Sequence, residues 1–323
     1  MKVLITGGAG YIGSVLAQTL LAGGHQVRVL DNLMYGGDAL LGMWSQQNFQ
    51  FLLGDVRDPA CTAEALAGVD AVVHLAAIVG DPACAKHRDL AIATNRDASL
   101  ALIEQCGKAG VARFVFASTC SNYGKMADSQ GHIDEDAELR PVSLYAETKV
   151  DVERAALDPQ ATGSLCATAL RFATVFGVSP RMRFDLTVNE FTAEMLVKKQ
   201  LVVFGEQFWR PYVHVRDIAR AVAAVLQAPA EQVRNVVFNV GSTEQNYQKQ
   251  QLVDMILKHV PDARVQYVHK DEDPRDYRVS FARIHRVLGY ETTRTVEQGI
   301  MEVIQLVRSG IIRDFDSSKY KNV

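Results

Sequence analysis

Apolar residues along this chain fall in short unbroken runs separated by helix-like stretches. The runs are Lys2–Thr6, Val27–Asp31, Phe49–Gly54, Ala71–Ala76, Arg113–Ser118, Cys166–Phe172 and Val236–Val240. Most are rich in Val, Ile, Leu or Phe and bounded by Gly, Asp or Asn. A strand that is apolar at every position, rather than at alternate ones, is covered on both faces, as in a parallel sheet. Between the runs, Tyr11–Ala22, Ala91–Ala109 and Leu144–Ala156 read as helices, the first two stopped by Gly23-Gly24 and Gly110. Strand–helix alternation of this kind predicts an α/β fold, a Rossmann-type doubly wound parallel sheet.

After Gly177 the alternation fails. Segments 178–211 and 242–323 fit poorly as further strand–helix units, while Tyr212–Gln227 and Val236–Gly241 read as returns to the sheet. The expected organisation is a dinucleotide-binding domain over 1–177, with returns at about 212–241, and a smaller substrate-binding lobe from 178–211 and 242–323. Composition narrows the function classes. With 48% apolar and 22% charged residues, the 323-residue chain can bury a large core. A net charge of −3 without a basic run argues against a nucleic-acid partner. No window approaches the roughly 20 apolar residues of a membrane span, and the glycine-rich start does not read as a signal peptide. Five cysteines without a CxxC pair suit free thiols in a reducing cytoplasm.

The turn after the first run, "VLITGGAGYIG", sets Gly7, Gly10 and Gly13 between a strand and the helix that begins at Tyr11 and Ile12. Glycines there let the backbone approach a pyrophosphate, and the free N–H groups of the helix start favour an anion. The second run ends in Asp31, 18 residues beyond Gly13 and followed by Asn32. A carboxylate at that place accepts the hydrogen bonds of an adenosine ribose diol and repels a 2′-phosphate, so the expected cofactor is NAD rather than NADP. Asp55, followed by Val56, ends the third strand where the adenine would lie. Leu75, Ala76 and Ala77 follow the fourth. His74 reads as a packed strand residue.

Candidate chemistry lies in "ASTCSNYG" (117–124) and "SLYAETK" (143–149). Small polar residues at a strand end commonly make a turn, but alternation along an extended segment would send Thr119 and Ser121 to one side and Cys120 to the other. Tyr145 and Lys149 stand four apart on one helix face. A phenol of pKa about 10 is a poor base near neutrality, and a neighbouring ammonium together with an oxidised nicotinamide would lower it.

Taken together, "TGGAGYIG", "DNL", "GDVRD", "VVHLAA", "STCSNYG", "YAETK", "LRFATVFG", "RPYVHVRDIARAV" and "FNVGS" resemble the extended short-chain dehydrogenase/reductases that act as nucleotide-sugar epimerases and dehydratases. The resemblance implies that Thr119 bonds the sugar hydroxyl being oxidised, Tyr145 takes its proton, and Lys149 holds the nicotinamide ribose. It implies a nucleotide-sugar substrate, with Asn189 and Arg210 against its diphosphate, Arg275 as a second cation, and Ser121 and Tyr277 along the sugar. It also implies a homodimer. Family 4,6-dehydratases carry an Asp–Glu pair in the two positions after the Ser/Thr, where this chain has Cys120 and Ser121. The cysteine of family 3,5-epimerases and the glutamate of its decarboxylases would fall at Ser121. The site therefore resembles the 4-epimerases most, with a net nucleotide-sugar 4-dehydrogenase or 4-ketoreductase as the alternative. A non-catalytic NAD-sensing regulator is the reading from another class, disfavoured because Tyr145 and Lys149 are both present. Two features stand outside this pattern. Asp81 and Cys84 follow the fourth strand, and the Cys84–His87 spacing lacks further ligands, so no metal site is expected. Arg181 and Arg183 fall in "GVSPRMRFDL" with no assigned role.

Overall fold

The computed structural model describes residues 1–126, 131–271, 273 and 275–322. Strands β1 (Lys2–Thr6), β2 (Gln26–Asp31), β3 (Phe49–Leu53), β4 (Ala71–His74), β5 (Arg113–Thr119) and β6 (Cys166–Phe172) come first along the chain. They are followed by β7 (Thr174–Phe176), β8 (Gln200–Phe204), β9 (Trp209–His214), β10 (Val236–Val240), β11 (Asn246–Gln248) and β12 (Arg264–Val268). Seven of them form one sheet in the order β10-β6-β5-β4-β1-β2-β3, with every neighbouring pair parallel. That is the doubly wound order, reversing between β1 and β4, and it opens a crevice at the carboxyl ends of those strands.

Both faces of the sheet are covered, as the continuous apolar runs require. Val3 and Ile5 pack in one layer with helices Tyr11–Ala22 and Val215–Gln227. Leu4 lies in the opposite layer with Val72, Phe114, Phe116 and helices Ala98–Lys108 and Leu144–Leu157. The expected helix Ala91–Ala109 starts earlier, at Arg88, and contains a π-helical turn over Ile92–Asp97. Within that turn Asn95 bonds Ile78 through both its carbonyl oxygen and its amide, 2.8 and 2.9 Å. The widened turn thus fixes the loop that leaves β4.

One expected return to the sheet is corrected. Tyr212–His214 do not join the main sheet; they end β9, which sits between β7 and β11 in a separate three-stranded sheet. Only the helix Val215–Gln227 and β10 return. A two-stranded parallel sheet, β8 with β12, completes the smaller region. There Leu201, Val203, Tyr212, Leu252, Ile256, Val296 and Ile300 share a core of their own. Asp217, in "HVRD", is fully buried and accepts from the N–H groups of Thr293 and Arg294, tying this helix to the later segment. Among the described residues no helix is long and apolar enough to cross a membrane.

Beneath the crevice a buried ion pair joins three elements. The Arg171 guanidinium on β6 donates to both Glu153 oxygens, and Ser118 Oγ on β5 donates to Glu153 as well. Arg171 also donates to Tyr123 Oη at 2.8 Å. Removing one partner of such a pair leaves an uncompensated buried charge. Glu153→Ala is expected to cost about 3–5 kcal/mol in urea denaturation. Glu153→Gln, which keeps an acceptor for Ser118, should cost less.

Candidate active site

One cavity of ≈470 Å³ runs along the carboxyl ends of the strands. Its volume falls within the range of small-molecule sites. At one end the glycine turn forms its floor. Gly7 has φ +72°, and a Cβ there would lie 2.8 Å from the Ala76 nitrogen; at Gly13 a Cβ would lie 2.3 Å from Gly7 O. Gly10 lines the cavity, and its Cβ would meet only Gly7 O, so a side chain would occupy ligand space. Tyr11 and Ile12 line it too, while the Tyr11 hydroxyl donates to Gly177 O at 2.6 Å.

Asp31 accepts from the Ala9 N–H at 3.0 Å and the Leu33 N–H at 2.8 Å. Burial raises its carboxyl pKa and these two backbone bonds pull it back down. A carboxylate has about four acceptor positions, so both oxygens retain capacity for a diol. Asn32, Asp55, Val56, Leu75, Ala76 and Ala77 also line this end. Asp55 is held below the usual carboxylate range mainly by Arg57, with Asn32 donating to it as well. The close-fitting glycine turn and an acceptor carboxylate across from it form a donor and acceptor set that fits NAD. His74 is a core residue: it bonds Thr6 and Ser99, and burial depresses its pKa to about 3.

Thr119, Ser121, Tyr145 and Lys149 all line the middle of the cavity. The strand ends at Thr119, and Cys120–Tyr123 is a 3₁₀ turn rather than an extension of it. Thr119 Oγ1 caps that turn by accepting from the Ser121 N–H at 3.1 Å. Cys120 still points to the core, through the turn and not through strand alternation, with Sγ 3.3 Å from Arg171 O. Ser143 caps the helix that carries Tyr145 and Lys149, accepting from the Ala146 N–H. Lys149 Nζ donates to Ala117 O at 2.8 Å and lies 5.9 Å from the Tyr145 ring centre.

The electrostatics differ from the simple expectation in one respect. Burial raises the Tyr145 phenol, the Cys84 thiol adds to the rise, and the opposing cation is Arg183 rather than Lys149. The Lys149 ammonium is turned toward Ala117 O, and burial brings its own pKa down to about 8. Cys84 is fully buried beside Tyr145 and donates to Ile78 O.

At the far end Arg210, Lys249, Arg275 and Tyr277 line the cavity. Arg210 donates to Asp273 at 2.7 Å and lies over the Tyr277 ring, 5.5 Å from its centre. Arg275 reaches Asp81 at 3.0 Å, closing a bridge across the cavity. Burial alone would raise Asp273; Arg210, Arg275, Lys249 and a bond from the Arg275 N–H hold it below the usual range. Lys249 escaped the sequence reading because it opens a helix in a segment with no recognisable motif. Asn189 is the correction. It is fully buried and away from the cavity lining, accepting from the Gly177 N–H and donating to Arg183 O and Tyr11 Oη. Its amide braces the loop after β7 instead of facing a diphosphate.

Residues 3–241 match the model of the NAD dependent epimerase/dehydratase family. The chain belongs to that family. An uncharacterised UDP-glucose epimerase, YtcB, of Bacillus subtilis is 33% identical, the match covering 76% of this chain and 78% of that protein. A dTDP-glucose 4,6-dehydratase of Streptomyces niveus is 28% identical over 95% of this chain and 93% of that one. The crystal structure of DesIV, a dTDP-glucose 4,6-dehydratase from Streptomyces venezuelae with NAD and TYD bound, superposes with a TM-score of 0.85. It is 28% identical, covering 96% of this chain and 97% of that one. The family's cofactor is NAD.

Two outcomes test the geometry. Asn189→Ala should destabilise the fold by about 1–3 kcal/mol, the cost of unpaired buried groups, and leave titrated UDP affinity unchanged. For Lys149 the folded pKa of about 8 lies below its ordinary 10.5, so the unfolded chain binds more protons between these values. Stability should rise with pH across that window. The urea midpoint of the wild type should therefore gain on that of Lys149→Met as pH increases from about 8 to 10.5.

Proposed function

We propose that the protein epimerises a nucleotide-diphospho-sugar at C4. The relatives place the chain among NAD-dependent enzymes of nucleotide-sugar modification. What favours epimerisation is the pair of positions after Thr119. Cys120 is buried, and desolvation pushes its thiol far above the usual range; Ser121 is a hydroxyl. Neither replaces the Asp–Glu pair with which the family's dehydratases remove water. Among the described lining residues the carboxylates are Asp31, Asp55 and Asp81. The first two belong to the dinucleotide end, and Asp81 engages Arg275. Among the described residues that line the cavity, none is an acid beside Thr119 left free to drive a dehydration.

On this reading Thr119 Oγ1 holds the C4 hydroxyl and Tyr145 Oη takes its proton. Bound NAD supplies the acceptor for the C4 hydride and, for the return step, its donor. Tyr145 then gives the proton back when the 4-keto sugar, turned over, is reduced on its other face. Lys149 holds the nicotinamide ribose, and the cation that offsets the burial of the Tyr145 phenol is Arg183. Arg210, Lys249 and Arg275 grip the diphosphate and Tyr277 bounds the sugar. A site that takes two diphosphates needs such cations, since arginine matches phosphate oxygens geometrically.

The test is incubation in D2O with UDP-, GDP-, CDP- and dTDP-sugars and NAD, read by proton NMR and absorbance at 340 nm. The expected result is a 4-epimer with no deuterium uptake and no net NADH. Net NADH with a keto-sugar would make the enzyme a dehydrogenase. Deuterium at C3 or C5 would overturn the assignment of Cys120 and Ser121. Tyr145→Phe should lower turnover by about 10²–10⁴-fold, the range for a lost acid–base group, with NAD still bound.

A further inference from the structure

The other cavity arginines are engaged: Arg57 with Asp55, Arg183 with Asp185, Arg210 with Asp273 and Arg275 with Asp81. Arg181 is different. It is 7% exposed, yet its Nε and Nη1 have no hydrogen-bond partner among the described residues; Nη2 reaches Lys321 O at 3.3 Å. A guanidinium so buried with donors unmet carries a desolvation cost that a ligand anion would offset. Burial and the neighbouring Arg183 both work against its charge.

Its surroundings say which end of the cavity it serves. Arg181 lies over the Tyr35 ring, 4.8 Å from its centre, and Tyr35 belongs to the turn directly after Asp31. Met34, Tyr35, Gly36 and Arg181 all line the cavity. The segment 318–322 straps this corner down. Lys319 pairs with Asp38 at 2.7 Å, Tyr320 O accepts from the Phe184 N–H at 2.9 Å, and the Asn322 N–H donates to Asp185 at 3.0 Å. Asn322 also lines the cavity, and its Oδ1 is another buried polar atom without a partner among the described residues. By contrast Arg210, Lys249 and Arg275 gather around Asp273 at the opposite end.

We propose that Arg181 is the anion clamp of the dinucleotide site, donating to the diphosphate of NAD from the lobe side while the glycine turn binds it from the sheet side. The two diphosphates that must share the cavity thereby each receive their own cations. This rests on the cavity being the NAD site and not on which sugar reaction follows. Held by a residue from the second lobe and covered by the 318–322 strap, the cofactor would be retained between turnovers.

The experiment titrates protein freed of dinucleotide with NAD, adenosine and UDP by calorimetry, for the wild type, Arg181→Met and Arg181→Lys. Arg181→Met is expected to weaken NAD by about 10- to 100-fold, the range for a lost hydrogen bond to a charged group. Adenosine, which has no phosphate, and UDP should keep their affinities. Arg181→Lys should recover part of the loss and decides the matter if the methionine variant does not fold. Equal loss of NAD and adenosine would mean that Arg181 only supports the fold, and would overturn the proposal. So would loss of UDP with NAD unchanged, which would move Arg181 to the nucleotide-sugar end, or no change in any affinity. Failure of the NAD-site reading itself would show separately, as absence of NAD binding to the wild type.

Discussion

The reaction end of the cavity depends on the pair between Glu153 and Arg171, at 2% and 4% side-chain exposure. Glu153 stands four residues beyond Lys149 and eight beyond Tyr145, so the three share one helix face. The helix is therefore anchored through the same face that presents the candidate base. Because Ser118, the residue before Thr119, also donates to Glu153, the anchor fixes the β5 end against that helix. Replacing the pair by apolar side chains could keep the fold, since buried ion pairs often add little net stability. It would remove the directional bonds that set the strand end in register with Tyr145. The pair thus contributes geometry more than energy.

The same economy of shape governs the dinucleotide end. Gly7 is in a left-handed conformation with the Ala76 backbone against it, and Gly13 lies against Gly7 O. The turn and the start of the helix Tyr11–Ala22 form one packed unit, held from the far side by Tyr11 on Gly177 and Asn189 on Gly177. A substitution at Asn189 would act on the cofactor floor through this chain of contacts without touching a ligand.

How much of this was legible follows from where the signal is local. The main sheet could be read because double burial writes itself as continuous apolar runs, and six of its strands alternate with helices nearby in sequence. Tyr11–Ala22 begins and ends where its glycines place it. Tyr212–His214 end β9 instead of joining the main sheet because this apolar stretch suits either sheet, and the partners β7 and β11 are set by tertiary packing. Asn189 was misread because an asparagine that braces a backbone looks the same in sequence as one that faces a phosphate. Lys249 and Arg181 had no motif around them. Their importance comes from burial, which the sequence around an isolated cation does not encode.

Cation placement then bears on the chemistry. Asp81 and Arg275 are 194 residues apart in sequence and meet across the cavity. Arg275 must share its charge between Asp81, Asp273 and any entering diphosphate. A substrate diphosphate that draws Arg275 away would free the Asp81 carboxylate near Tyr145, whose phenol it already raises. A freed negative charge there opposes phenolate formation, so the positive charge of Arg183, which already lowers the phenol, and of an oxidised nicotinamide has to outweigh it. On the proposed reading, proton abstraction at Tyr145 is thereby tied to the oxidised cofactor being in place. An enzyme that keeps its dinucleotide through a full oxidation and reduction needs that coupling, because the same tyrosine must then return the proton.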